Sequence, residues 1–345
     1  MFMAVRSLYG RFFHLTFPVE CSRKSYMAAD LIFHLGLTKN ASSFLQRKVF
    51  HGKMNTLRRA IEWGDDRVEA KNFKDVFRKN HPSYWMNDGA KWFDKYNNDQ
   101  SLGPVIISHE SLYEHTPFGV EGVCLKGEPE LLSNRLKCIS RYAWSHGKTK
   151  AWFFFRRQED WIPSIYAQLC YRLPKPSQKD FEYRARDFIY SELSGSHVLE
   201  YDKLVESLEE ALGSNNVLAL PFEAIGEEWV WEKVRAFTGE DSLKRNEEFD
   251  KRDVNVKRMP GETDWKVSQR ANLNLGLASS LNSASKKVGI NIPEGAKSKL
   301  KGLISKNGFR VGVPDNLAKE IKSIYHESNK RLSEKIGVDL KKYGY

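Results

Sequence analysis

The sequence is poor in cysteine, and its few cysteines lie far apart. There are four in 345 residues, at positions 21, 124, 138 and 170. None forms a CxxC pair or has histidines at the spacing of zinc ligands, which argues against a structural metal site. Four scattered cysteines do not make a disulfide framework, so the sequence favours a reducing compartment, and we expect the protein in the cytoplasm.

Long hydrophobic runs, internal repeats and low-complexity segments are also missing. No apolar run approaches the roughly 18 residues of a membrane-spanning helix. The phosphate-loop signature GxxxxGKS/T is absent as well, so an ordinary ATP or GTP site is not supported. What is present is the composition of a packed protein, with 41% hydrophobic and 12% aromatic residues.

The chain carries a net charge of +11. Such a balance favours anionic partners, among them nucleotides, nucleic acids, sulfated or phosphorylated glycans and acidic membrane surfaces, without choosing among them. An equally good interpretation is that the charge serves solubility alone. No recognised nucleic-acid-binding motif is present, so we expect no nucleic acid partner and keep a non-catalytic nucleic-acid-binding protein as an alternative.

The first 26 residues differ from the rest. They are basic, with Glu20 as the sole acid, and arginines interrupt their apolar stretches. A transit peptide or a membrane-surface helix fits this composition, but we favour translation from Met27, which puts the first strand near the start. We therefore expect residues 1–26 to be a loosely ordered extension and residues 27–345 to form one domain.

Short apolar runs alternate with helical patterns over the core of that domain, at about residues 29–240. Strands are predicted at 29–35, 104–108, 151–155 and 217–221. Helices are predicted at 42–61 and 128–146, after an N-cap at Asp160, between an N-cap at Asp202 and a stop at Gly213, and from near Asp315. This order predicts a three-layer α/β fold with a parallel sheet, followed by a helical part without clear strands at about 260–345.

The turn after the first predicted strand carries a possible anion site. It reads GLTKNASS at 36–43, with one lysine, Lys39, and two hydroxyls, Ser42 and Ser43. A loop that enters a helix presents unpaired N–H groups and the positive end of the helix dipole, which suits a phosphate-like anion. The alternative is that the serines cap the helix beside a surface lysine.

A second basic turn follows the third predicted strand. Arg156 leaves the strand, and Ser164 lies eight positions later on the next helix. Ligands of open α/β sheets bind outside the carboxyl ends of the strands, so we expect Arg156 at the same edge as Lys39, where a guanidinium and a hydroxyl suit a second phosphate. The alternative is that Arg156 and Arg157 pair with the acidic residues at 159 and 160.

Together, these two turns resemble the motifs of sulfotransferases that use 3′-phosphoadenosine 5′-phosphosulfate (PAPS). The family's first motif is similar to PKTGTT and stands here as TKNASS, with Thr38 in place of proline and Ala41 in place of glycine. Its second motif, an arginine and a serine eight positions on, corresponds to Arg156 and Ser164. Further likeness lies in IISHESLY at 106–113, in residues 199–225 and in the last turns. These stretches look most like the bacterial branch that modifies saccharides or other small acceptors.

The resemblance implies a P-loop nucleotide-kinase-like core and a role for each motif residue. PAPS would be the co-substrate, with no metal required. The loop that would cradle its 5′-phosphosulfate consists of Lys39, Asn40, Ala41, Ser42, Ser43 and Phe44. Lys39 would also neutralise charge on the bridging oxygen, while Arg156 and Ser164 would grip the 3′-phosphate.

The same resemblance implies a general base after the second strand. His109 and Glu110 both stand there, and families of this type use either a glutamate or a histidine near this point. Glu110 fits the bacterial pattern better but needs a raised pKa, whereas the pKa of a histidine starts near the useful range. We favour Glu110 over His109, and a third interpretation gives both residues surface contacts only.

The acceptor site is the least defined by sequence. A hydroxyl of a carbohydrate or glycolipid is expected from the resemblance, and a nucleotide or small-molecule kinase is the rival enzyme. Three tryptophans at 63, 85 and 92 suit sugar stacking, although a core position is the commoner role for such residues. The basic residues between Lys286 and Arg310 could steer an anionic glycan or contact a membrane surface, or they could simply form a solvated face. Lys257 and Arg258 are further candidates for contacts with the phosphates of the nucleotide.

Overall fold

The fold is known from a computed structural model of the chain. The residues that the structure describes are 29–37, 39–40, 42, 45–50, 67–93, 104–109, 112–113, 129–145, 147–173, 175–191, 198–243, 264–267 and 309–345. The predicted extension at 1–26, most of the predicted helix at 42–61 and the basic cluster before Phe309 lie outside these residues.

Four parallel strands form the central sheet. They are β1 at Leu31–Leu35, β2 at Val105–His109, β3 at Thr149–Phe155 and β4 at Val217–Pro221. Their order is β2-β1-β3-β4, and each neighbouring pair is parallel. The four strand predictions and the parallel sheet are therefore confirmed, because apolar runs of this length are buried on both faces of such a sheet.

Helices connect the strands and pack on the sheet. The α-helices are Arg67–Lys79, Tyr84–Asn87, Pro129–Cys138, Gln158–Leu169, Gln178–Ser191, Tyr201–Leu212, Glu228–Thr238 and Asp315–Ile336. Two π-helical segments, Leu45–Phe50 and Ile139–Ala143, and five short 3₁₀ turns complete the described helical structure. Those turns are Gly89–Trp92, Cys170–Arg172, Ser214–Asn216, Phe222–Ala224 and Leu340–Tyr343.

Two hydrophobic cores lie on opposite faces of the sheet. Phe33 of β1 faces the larger core, and its neighbour Ile32 faces the smaller one. Side chains of the final helix and of the helices that flank β3 fill the larger core, whereas Leu45–Phe50 and Glu228–Thr238 cover the smaller one. The fold is thus the predicted three-layer α/β arrangement, with helices on both faces.

Two of the three tryptophans proposed for sugar stacking belong to the larger core. Trp85 is fully buried, and Trp92 packs partly buried against the same cluster while its indole N–H donates to the Tyr84 hydroxyl at 3.0 Å. Trp63 lies outside the described residues. Both described members of the three therefore take part in packing the core, Trp85 fully and Trp92 partly.

Both predicted aspartate N-caps are wrong. The helices begin earlier, at Gln158 and Tyr201, and no side chain caps them. Asp160 instead contacts the Arg157 guanidinium, and Asp202 accepts hydrogen bonds from Ser328 and from Arg331 Nε at 2.7 Å. The partner of Asp160 is thus a local arginine, whereas Ser328 and Arg331 reach Asp202 from the distant final helix, which a local pattern cannot reveal.

The helix stop at Gly213 is confirmed. Its φ of 91° lies in the region that favours glycine, and its N–H closes the last turn on the Glu209 carbonyl. The helix predicted from near Asp315 is also confirmed at Asp315–Ile336. Among the described residues, no helix is both long and apolar enough to cross a membrane.

The expectation of no strand after about residue 260 is wrong. Trp265–Val267 pairs antiparallel with Phe309–Val311, and Trp265 lies opposite Val311. Three-residue strands are too short to show the alternation that identifies a strand in sequence, and these two partners are more than forty residues apart in the chain.

Gly147 tests the close backbone contact between the chain before β3 and the chain before β1. A Cβ at this position would lie 2.2 Å from the carbonyl oxygen of Ala29, whereas a Cβ at Gly226 would meet nothing within 4 Å. We expect Gly147→Ala to lower the free energy of unfolding by about 1–3 kcal/mol, because backbone must move to admit the methyl group. Chemical denaturation measures this, with Gly226→Ala as the matched control; equal stability of the two variants would contradict it.

Candidate functional site

The carboxyl ends of β1, β2 and β3 meet at one edge of the sheet. Leu35 of β1 stands opposite His109 of β2, and the N–H of Gly36 donates to the His109 carbonyl at 3.2 Å. The chain then turns tightly, with the Asn40 N–H on the Leu37 carbonyl at 3.1 Å. Open parallel sheets bind ligands at this edge, so the turn after β1 lies where a site is expected.

Lys39 sits in this turn with an unusual backbone conformation. Its φ is 69°, and it is the sole non-glycine residue with positive φ in the part of the chain that the structure describes. The left-handed conformation costs an ordinary residue roughly 1–2 kcal/mol. Such strain persists where the surroundings enforce it, and it recurs at ligand sites.

Asn40 enforces the turn. Its side chain is 1% exposed, and its amide Nδ2 donates to the carbonyl of Phe154 in β3 at 3.0 Å. A buried amide that donates to the backbone of a neighbouring strand fixes both partners, because breaking the bond would leave buried polar groups unsatisfied. The loop that carries Lys39 is therefore attached to β3 as well as to β1.

Arg156 follows β3 directly and lies beside the Lys39 turn. Its Nη1 donates to the Lys39 carbonyl oxygen at 3.5 Å, and its guanidinium carbon lies 4.9 Å from the centre of the Phe222 ring. This stacking is a cation–π contact and orients the guanidinium plane. The structure thus brings together two cationic residues from separate turns; their roles toward a ligand stay predictions.

The neighbouring arginine behaves differently. Arg157 contacts Asp160 and lies 3.9 Å from a carboxylate oxygen of Glu159 and 3.8 Å from one of Glu223. Arg157 thus pairs with both acids that the sequence offered, Glu159 and Asp160.

The two described serines of the predicted site differ in their hydroxyl partners. Ser42 is 3% exposed, and its Oγ has no hydrogen-bond partner among the described residues. Ser164 is equally buried, but its hydroxyl donates to the Trp161 carbonyl of its own helix at 2.8 Å. A bound anion could accept from Ser42 directly, whereas Ser164 would first have to leave its helix carbonyl.

The candidate bases are described only in part. His109 ends β2 at the same edge, is partly exposed, and accepts on its carbonyl from the N–H groups of Gly36 and Leu112. The other candidate, Glu110, lies outside the described residues, as do Thr38, Ala41, Ser43 and Phe44 of the loop. The choice between Glu110 and His109 stays a prediction.

A buried polar network behind the loop was not foreseen. Ser108, just before His109, accepts on its hydroxyl from the Gln46 amide at 3.0 Å and lies 2.7 Å from His34 Nδ1. The Gln46 amide also donates to the Ser108 carbonyl at 3.2 Å. The network ties the segment after the loop to the end of β2. Its one signal in the sequence is a histidine within the apolar strand LIFHL.

Burial makes His34 a neutral member of this network. The side chain is fully buried, with its ring 5.0 Å from that of Trp152 and 5.6 Å from that of Phe50. Desolvation of the imidazolium lowers the pKa of His34 to about 3. Within the described ranges, no three His, Cys, Asp or Glu side chains are grouped as metal ligands.

Comparisons with known proteins find a likeness among solved structures only. A scan against models of protein families and a search of curated proteins find no match. Among solved structures, the chain is similar to the crystal structure of a sulfotransferase from Alicyclobacillus acidocaldarius, at 15% identity and a TM-score of 0.45, over 91% of this chain and 98% of that one. A likeness this distant carries no conclusion about activity, which has to be argued from this chain's own residues.

His34 predicts an acid-sensitive fold. Below about pH 6.5 the unfolded chain binds a proton at this histidine, whereas the folded protein does so only near pH 3, because its pKa is lowered. As the pH is lowered from about 6.5 toward 3, the free energy of unfolding should therefore decrease, by up to about 1.4 kcal/mol for each pH unit. Below about pH 3 both states are protonated, and this contribution ends.

The measurement is urea denaturation between pH 7 and pH 4. In His34→Gln the dependence on pH should be clearly shallower, whatever the absolute stability of the variant. His326→Gln, which replaces an exposed histidine, is the control for the loss of an imidazole. An unchanged dependence in His34→Gln would mean that His34 is not held neutral.

Proposed function

We propose that the chain is a sulfotransferase that moves a sulfuryl group from PAPS to a hydroxyl of a carbohydrate or glycolipid. One observation carries the proposal: the Arg156 guanidinium lies 3.5 Å from the carbonyl oxygen of Lys39. The β1 and β3 turns, each of which carries a positive side chain, are thereby adjacent, as one ligand with two separate anionic groups would require. PAPS is such a ligand, since it carries a 3′-phosphate and a 5′-phosphosulfate.

Three features support a nucleotide of this kind over ATP. The sequence lacks the GxxxxGKS/T loop that ATP and GTP enzymes use. The β1 turn instead offers Lys39 and the buried hydroxyl of Ser42, and Arg156 adds a cation at the next strand. The net charge of +11 favours an anionic donor in general and does not choose between the two nucleotides.

The resemblance to PAPS-dependent enzymes supplies the roles. The backbone from Lys39 to Phe44, with Ser42 and Ser43, would hold the phosphosulfate, while Arg156 and Ser164 would hold the 3′-phosphate. The acceptor oxygen attacks sulfur in line with the bond from sulfur to the bridging phosphate oxygen. As that bond breaks, adenosine 3′,5′-bisphosphate leaves and the acceptor proton passes to Glu110 or His109.

Lys39 would contribute most to the chemistry. Negative charge builds on the bridging oxygen as its bond to sulfur breaks, and a preorganised cation at that point stabilises the transition state more than the ground state. One such donor is worth about 3 kcal/mol. The strained but anchored backbone at Lys39 supports this role, because a charge that is fixed in advance needs no reorganisation during the reaction.

The acceptor class is the finer part of the proposal. The choice of a carbohydrate or glycolipid as acceptor rests on the likeness of the sequence motifs to the bacterial branch that modifies saccharides or other small acceptors. The basic residues before Phe309, which would steer an anionic glycan or touch a membrane surface, are outside the described ranges. A panel of glycans, lipids and phenols incubated with labelled PAPS tests this part on its own.

Nucleotide preference tests the donor assignment. Adenosine 3′,5′-bisphosphate should raise the midpoint of thermal unfolding far more than ATP with Mg²⁺, since ligand at 100 times its Kd adds about 2.7 kcal/mol. Arg156→Ala should remove most of this stabilisation. Arg141→Ala, which replaces an exposed arginine before β3, should keep it.

Two results would favour the rival functions. A larger shift with ATP and Mg²⁺ than with the bisphosphate would indicate a kinase. Steeply salt-dependent binding of DNA or RNA, with no shift from either nucleotide, would indicate a nucleic-acid-binding protein.

Two replacements of Lys39 separate the effect of its charge on activity from the effect of its backbone conformation on stability. Lys39→Ala and Lys39→Gly should both reduce sulfuryl transfer by about 100-fold or more, because each removes the cation. Glycine tolerates positive φ, so Lys39→Gly should be more stable than Lys39→Ala by about 1 kcal/mol. Transfer assays and urea denaturation measure the two effects. Activity of Lys39→Gly within tenfold of the wild type would mean that the loop is wrongly assigned.

A further inference from the structure

The C-terminal tail, residues 340–345, packs against the carboxyl ends of β3 and β4. The Tyr345 ring lies edge-on to Phe155 with 5.6 Å between ring centres. Its hydroxyl donates to Glu223 Oε2 at 2.6 Å and lies 3.4 Å from the Phe155 carbonyl oxygen. The tail thereby reaches the strand end from which Arg156 emerges.

Glu223 links the tail to the β3 turn. One carboxylate oxygen accepts from the Tyr345 hydroxyl, and the other accepts from the backbone N–H of Arg157 at 3.2 Å. Glu223 also follows Phe222, whose ring stacks on the Arg156 guanidinium. A single partly buried carboxylate is thus connected to the backbone after Arg156 and follows the residue whose ring stacks on Arg156.

Backbone groups of three successive residues at the end of β3 contact side chains from elsewhere, and two of the three groups are hydrogen-bonded. The Phe155 carbonyl lies beside the Tyr345 hydroxyl, the Arg156 carbonyl accepts from the Tyr201 hydroxyl at 3.0 Å, and the Arg157 N–H donates to Glu223. Two of these three contacts depend on the Tyr345–Glu223 pair. The tail therefore helps to define the backbone on both sides of Arg156, from which its side chain leaves the strand.

Gly344 shows how closely the tail passes the turn. A Cβ at Gly344 would lie 2.7 Å from Nη1 of Arg157, and its φ of 85° favours glycine in any case. Tyr343, by contrast, contacts a different acid: its hydroxyl lies 3.1 Å from Glu227 Oε2. The tail thus has one tyrosine that reaches the β3 turn and one that does not.

We propose that Tyr345 is a positioning residue for nucleotide binding: through Glu223 it holds the β3 turn so that Arg156 lies against the Lys39 turn. The proposal rests on the proposed function for the identity of the ligand, while the link between the tail and the turn stands on contacts alone. Tyr345 acts through Arg156, so it affects donor affinity more than the chemical step. Loss of its hydroxyl should weaken binding of adenosine 3′,5′-bisphosphate about tenfold, as expected for a hydrogen bond to a charged group.

Two conservative variants give a matched test. Tyr345→Phe keeps the ring on Phe155 and removes the hydroxyl that binds Glu223, whereas Tyr343→Phe removes a hydroxyl from the same tail without affecting the turn. Amide hydrogen exchange of residues 155–158 reports on the turn, and titration calorimetry with the bisphosphate reports on affinity. In Tyr345→Phe we expect faster exchange there, about tenfold weaker binding and a higher KM for PAPS at nearly unchanged kcat.

Each outcome decides one part of the inference. Unchanged exchange in Tyr345→Phe, or an equal effect of Tyr343→Phe, overturns the positioning role. Faster exchange with unchanged affinity also overturns it, because the turn would then not matter to the ligand. If the wild type does not bind the bisphosphate, the proposed function fails, and the exchange data alone support or overturn the link between the tail and the turn.

Discussion

The parallel pairing of β1 with β3 is the constraint on which the candidate site depends. Because adjacent parallel strands end at the same edge, their two following turns are neighbours although more than a hundred residues separate them. The amide of Asn40 and the guanidinium of Arg156 then bridge the turns in opposite directions, one onto the Phe154 carbonyl and one onto that of Lys39. Positive charge is concentrated there by topology and not by any local cluster in the sequence.

Buried polar contacts also connect the segments that form this end of the sheet. Gln46 and His34 meet on Ser108, so the segment after the Lys39 turn and the end of β2 are joined inside the smaller core. Because His34 stays neutral over the ordinary pH range, the network does not change with modest acidification. The Lys39 turn and the end of β2 are thereby linked through buried side chains as well as through the pairing of β1 with β2.

The sequence predicted the sheet well and the supporting contacts poorly. Apolar runs such as that of β3 identify strands because burial on both faces leaves a continuous signal, and the strand ends then place Lys39 and Arg156. Asp160 was predicted as a cap, but Arg157, three positions earlier, binds its carboxylate, an ion pair that the sequence had left open as an alternative. The Tyr345–Glu223 pair and the His34 network are joined only by the tertiary fold, so no spacing along the chain encodes them.

The attachment of Asn40 to β3 also limits how far the Lys39 loop can be treated as a module. The residue after the left-handed Lys39, Asn40, binds a carbonyl that belongs to another strand, so the loop's shape is a property of two strands together. On a scaffold whose neighbouring strand offers no carbonyl at the matching position, the same residues would lose this anchor and the backbone at Lys39 would relax. Transplanting this turn would therefore mean moving a pair of adjacent strand ends, not a single peptide.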